Sequence, residues 1–158
     1  MSQSTTAEPP MAEKIRRITD VLLNYWEEKR QNHPFPDVSD IIPEQLSDVW
    51  SNCFIVQLHH IKNKENYSFT YFGDALQRAY TRDLTNTPVK YVVSPHADHL
   101  ASQYEKVLNT GQPLEDDGSY ENRDHIMVLY RQILLPLSYC KTGQIGFILG
   151  GMRYKLKP

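Results

Sequence analysis

The residues able to do chemistry are few. His96 and His99 lie three apart at what reads as a helix start, with Asp98 between them. That spacing can bring two imidazoles to one helical face, as metal or haem ligation needs. No third ligand is near in sequence, so the pair reads as exposed or capping histidines, with haem ligation through either as the rival. His59 and His60 adjoin in a strand-like run, point to opposite faces and cannot chelate together. Glu115, Asp116, Asp117 and Glu121 lack the spacing and closing glutamate of an EF-hand loop and read as a solvated edge. A small cone-shaped α+β enzyme would need a buried acid beside a tyrosine donor, and Asp74 after Tyr71 is the one candidate. Capping the helix that follows is its plainer role. Cys53 and Cys140 are too far apart for a disulfide framework or a metal-ligand pair and read as small hydrophobes. No catalytic residue, cofactor or metal is therefore expected.

The bulk numbers agree with a single soluble domain. The chain has 158 residues, 40% hydrophobic and 23% charged, with a formal net charge of -2. The basic clusters at Lys14, Arg16 and Arg17, and at Arg153, Lys155 and Lys157, are short and not interleaved with aromatics, which argues against a nucleic-acid interface. No stretch approaches the length of a membrane span. The first ten residues lack the basic start and apolar core of a signal peptide, so a cytoplasmic protein is expected.

These side chains must be carried on elements that the pattern makes legible. Residues 1–10 read as a disordered tail, residues 11–33 as an N-terminal helix and residues 34–158 as the main domain. Ile15, Ile18, Leu22, Tyr25 and Trp26 fall at helical spacing and make one apolar stripe, stopped before Pro34. The stripe needs a partner, either its own domain or a second copy, and a homodimer through it is the expectation. Residues 50–61 alternate as a half-buried strand, a polar turn follows at 62–66, and Tyr67, Phe69 and Tyr71 share one side of the next strand. A second helix runs from Pro95 to Asn109 and closes at Gly111. Residues 112–124 read as an exposed edge strand with a bulge or bend at Asp116–Gly118. Two long strands from Ile126 to Tyr154 then pair around a turn at Ser138–Gln144. The order predicts an α+β fold: a five-stranded antiparallel sheet with helices on one face and an amphipathic N-terminal helix.

This order resembles a PAS domain, and more specifically a bacterial stand-alone PAS-like family. Tyr25-Trp26 fits an aromatic pair that ends the first helix. Asp40-Ile41-Ile42-Pro43 fits an Asp-hydrophobic-x-Pro element, and residues 67–73 a Tyr/Phe-rich strand ending in Gly. Thr81-Arg82-Asp83-Leu84-Thr85-Asn86 stands in for a Gly-Arg-Asp-Leu-Thr-Gly element. Leu135-Pro136-Leu137, Gly143 and Ile148-Leu149-Gly150 match the closing hairpin. Thr70 and Asp37 stand where Arg is common, and Asn86 replaces a Gly.

The resemblance implies a sensory or protein-interaction domain in signalling, non-enzymatic, that holds a small ligand between sheet and helices or binds a partner through the sheet. The 158 residues show no kinase, cyclase or DNA-binding segment, so output is expected through a signalling partner protein. If there is a pocket, strand parity places Phe54, Val56, Leu58, Phe69, Tyr71, Phe147 and Leu149 on its wall, with Leu76, Leu84 and Tyr91 from the covering segment. Such a wall suits a small apolar ligand, though strand aromatics are more often plain core and the same side chains then make a filled one.

Overall fold

The computed structural model describes residues 11–58 and 67–158, with side chains in the first helix from Ile18 onward. The expectations for the tail, for His59 and His60, for the turn at 62–66 and for the Ile15 side chain lie outside the described residues. Helix α1 spans Met11–Arg30, and Gln31 ends it in a left-handed conformation, three residues before Pro34. Strands β1 (Cys53–Gln57) and β2 (Ser68–Phe72) are followed by the short helix α2 (Gln77–Tyr80) and the longer α3 (His96–Thr110). Strands β3 (Leu114–Glu121), β4 (Met127–Ser138) and β5 (Ile145–Lys157) complete an antiparallel sheet of order β2-β1-β5-β4-β3. Gly111 takes a left-handed backbone, and its N–H donates to the Val107 carbonyl at 2.8 Å, which closes α3. No helix among the described residues is long and apolar enough to cross a membrane.

The sheet is buried on both faces, and each face has its own core. Phe54, Val56, Leu58, Phe69, Leu76 and Leu84 pack with α3 side chains on one side. Ile18, Leu22 and Trp26 of α1 pack with Cys53, Ile133, Leu135, Leu137 and Leu149 on the other. The α1 stripe is therefore spent within its own chain: Leu22 is fully buried, and the Trp26 indole donates to the Pro136 carbonyl at 2.8 Å. The Tyr25 hydroxyl accepts from the Ile42 N–H and donates to Gln45. Ile18, Leu22 and Trp26 are not available to a second copy, which corrects the reading of these residues as a dimer stripe.

Two strand parities also differ from expectation. A bulge in β2 sets Ile55 opposite Tyr71 and Val56 opposite Phe69, so one extra residue lies between them. The bulge flips Tyr71 to the α1 side, where it stacks on Trp50 at 4.4 Å, and brings Phe72 to the α3 side instead. In β5, Ile148 and Met152 face α3, while Phe147 and Leu149 face α1. A strand apolar on both faces offers no alternation from which to choose. Tyr91 is 50% exposed and lines no core. Tyr71, Phe147, Leu149 and Tyr91 thus leave the proposed wall; the other six join the α3-side core.

Gly150 and Gly151 make this double packing feasible. A Cβ on Gly150 would sit 2.1 Å from the Phe54 ring, and one on Gly151 would sit 2.1 Å from the Leu22 side chain on the opposite face. Gly151→Ala is expected to lower stability by about 1–3 kcal/mol through overpacking of α1. Urea denaturation checks it: the midpoint should fall with an unchanged slope.

Asp37, where the resembled family favours Arg, staples the connector after α1 to the β4–β5 turn. One carboxylate oxygen accepts from the Ser138 hydroxyl at 2.8 Å and the Lys141 N–H at 2.7 Å. The other accepts from the Ser39 N–H at 3.0 Å and hydroxyl at 2.7 Å. Burial works against its charge, but these donors outweigh it and hold the carboxyl at about 2, below the ordinary 3.8. A carboxyl lowered on folding adds stability that is complete above its unfolded value and is lost as pH falls from there toward about 2. Asp37→Asn should accordingly flatten the acid limb of a stability–pH curve below pH 3.8.

Candidate functional site

Polar side chains converge inside the α3-side core, at the edge where β3 meets β4. The register sets Asp116 of β3 opposite Gln132 of β4, and Gly118 opposite Tyr130, so all these positions face α3. His99 and Gln103, one helical turn apart on α3, meet them from above. The Asp116 carboxylate accepts from the Gln103 amide at 3.0 Å, the Gln132 amide at 2.9 Å and the Tyr130 hydroxyl at 2.9 Å. His99 Nε2 lies 3.0 and 3.1 Å from its two oxygens and therefore carries the shared proton. Asp116 is only 7% exposed. Burial, and Asp116 beside it, push the Tyr130 hydroxyl well above its ordinary range, so it remains a donor.

Several expectations are corrected here. Asp116 is not part of a solvated edge but a buried acceptor that ties one helix to two strands. The strand there is regular, without a bulge at Asp116–Gly118. His96 is not exposed either, at 4%, whereas His99 is exposed as expected but rests on Asp116. The Asp74–Tyr71 pair does not form. Asp74 is exposed, accepts from the Gln77 side-chain amide at 3.3 Å and lies one residue past the cap position, which Gly73 holds, and the Tyr71 hydroxyl donates to the Trp50 carbonyl at 2.8 Å.

A run of nearly parallel rings leads outward from the core. Tyr80 stacks on Tyr120 with centroids 5.6 Å apart, Tyr120 on His96 at 3.9 Å and 13°, and His96 on His99 at 5.8 Å and 20°. The run ends at a cleft of about 580 Å³ between the N-terminal end of α3 and the β3–β4 hairpin. Val93, Pro95, Tyr120 and Tyr130 give it apolar walls; His96, His99 and Arg123 give it polar ones. His96 Nε2 is buried without a hydrogen-bond partner, and so are the Tyr67 and Tyr104 hydroxyls and Gln132 Oε1 deeper in the same core. Buried polar groups are nearly always paired with protein or with ordered water, so these atoms are open to a further hydrogen-bond partner. Burial, with His99 nearby, pulls the His96 imidazole down to about 4 despite Asp116, leaving it neutral at pH 7.

The cysteines take no part. Cys53 sits on the α1 side, donates to the Val49 carbonyl and is pushed up to about 12 by burial; Cys140 is exposed in the β4–β5 turn. Among the described residues no three His, Cys, Asp or Glu side chains are grouped to hold a metal. Alternation along β3 could have found Asp116: Leu114, Asp116 and Tyr120 share a side, and two of the three are apolar.

Comparison with known proteins fits this geometry. A family profile described as PAS domain matches residues 16–152. No curated protein matches the sequence. Among solved structures, the PAS domain of a protein from Colwellia psychrerythraea is similar at a TM-score of 0.51 and 14% identity, over 72% of this chain and 96% of that one. A light-oxygen-voltage domain studied with a flavin analogue gives a TM-score of 0.52 at 11% identity, over 70% and 80%. The Aureochrome1 LOV blue-light photoreceptor gives 0.51 at 9% identity, over 73% and 88%. At these identities the likeness is one of fold.

Proposed function

The chain belongs to the PAS domain family, and on that premise we propose that it is a sensory domain whose input is a small molecule held in the cleft between α3 and the β3–β4 hairpin. Its output passes to a partner protein, with no chemistry performed on the ligand. The observation that carries this reading is the Asp116 cluster at the cleft. His99 both lines the cleft and holds Asp116, so whatever engages His99 competes for the hydrogen bonds that join α3 to β3 and β4. A ligand shifts such an element only through interactions that differ between its two arrangements, and this cluster supplies them. A mostly apolar pocket between the sheet and the covering segment, with Tyr71 and Tyr91 as its polar handles, has less support, because its wall residues are split between the two faces of the sheet.

Native mass spectrometry of freshly purified protein, followed by a thermal-shift screen of small metabolite-like compounds, tests the reading. A retained small molecule, or a compound that raises the melting temperature and loses its effect in Tyr120→Ala, is expected. A chain at its bare mass of 18.4 kDa that no compound stabilises would count against it.

A further inference from the structure

Resting on that reading, we propose that the cleft takes a small aromatic carboxylate, its ring continuing the run of stacked side chains and its carboxylate meeting Arg123.

The ring follows from the parallel series Tyr80, Tyr120, His96 and His99, which ends at the cleft. A flat ligand placed there gains offset stacking at the outer end of that series. The apolar flanks from Val93 and Pro95 suit its edge.

The charge follows from which side chains are already matched. Of the acids near the cleft, Asp116 has its donors and Asp117 lies 3.5 Å from Arg131, while Glu121 lies 3.7 Å from His125, which balances its charge only when protonated. Arg123 is exposed at the rim, and its guanidinium is oriented by donating to the Tyr91 carbonyl at 2.6 Å. Among the described residues it has no carboxylate partner. A guanidinium fixed by one of its five donors still offers others to a carboxylate. Neutral His96 lines the cleft and adds no further charge to it.

The test is an ¹⁵N NMR titration of the full chain with benzoate, benzyl alcohol and acetate in parallel. Benzoate should give saturable shifts centred on the amides of His96, His99 and residues 118–123. Benzyl alcohol, which lacks the charge, and acetate, which lacks the ring, should each bind at least about tenfold more weakly. Arg123→Gln should weaken benzoate by a similar factor while the melting temperature stays put, since Arg123 is exposed. Equal binding of benzoate and benzyl alcohol, shifts centred elsewhere, full binding by Arg123→Gln, or no saturation by about 10 mM would each overturn the proposal. If the screen described above instead yields a neutral or cationic ligand at this cleft, the ligand class falls and the sensory reading stands.

Discussion

Asp116→Ala is expected to cost about 3–5 kcal/mol of stability, the usual penalty for removing one side of a buried, charged hydrogen-bond cluster. The carboxylate is the common acceptor for Gln103, Gln132, Tyr130 and His99. Gln132 is fully buried and its Oε1 is already unpaired, so losing Asp116 would leave that amide with no partner among these groups. Each buried group left unsatisfied carries its full desolvation penalty. Asp116→Asn keeps the shape and one acceptor oxygen but turns an NH2 toward other donors, so roughly half the loss is expected. Urea denaturation with intrinsic fluorescence reads both variants. A loss below about 1 kcal/mol for the alanine variant would mean that the cluster is not organised as described.

The second large effect concerns acid. His96 lies among Tyr80, Tyr120, Tyr130 and His99, with Asp116 beyond, and it carries no hydrogen bond on Nε2. Its folded value of about 4 lies below the ordinary 6.5, so the fold accepts the neutral ring and resists the charged one. Above pH 6.5 the contribution is complete. As pH falls from 6.5 toward 4, the unfolded chain takes up a proton that the folded chain refuses, and stability drops. A shift of this size corresponds to a loss on the order of 3 kcal/mol by the lower end of that window. His96→Phe fills the same space without the titrating nitrogen and should remove that part of the slope. Identical slopes for wild type and His96→Phe between pH 6.5 and 4 would rule out His96 as the source.

Much of the fold was legible because periodicity reports burial. The helical spacing of Ile18, Leu22 and Trp26, four residues apart, marked α1, and Gly111 marked the end of α3. The closing hairpin followed from two β-rich arms and a Gly-containing turn. What the pattern could not carry was facing. Phe147 to Met152 is apolar on both sides, so alternation could not say which side meets α3. The bulge that flips Tyr71 is a one-residue event with no sequence mark. The candidate site was hidden for a related reason. Glu115-Asp116-Asp117 looks uniformly solvated, yet a strand turns every second residue inward, and Asp116 is the inward one. Its partners come from α3 and β4, distant in sequence and joined only by the register.

The most direct measurement is amide hydrogen exchange on the full chain, with and without the compound that the thermal-shift screen or native spectrum identifies. Added protection is expected at the N-terminal half of α3 and along β3 and β4 around Asp116 and Tyr130, with Asp116→Asn uncoupling the strands from the helix. Protection confined to the region around Asp37 and the β4–β5 turn, or spread evenly over the chain, would contradict an input site at the α3 cleft.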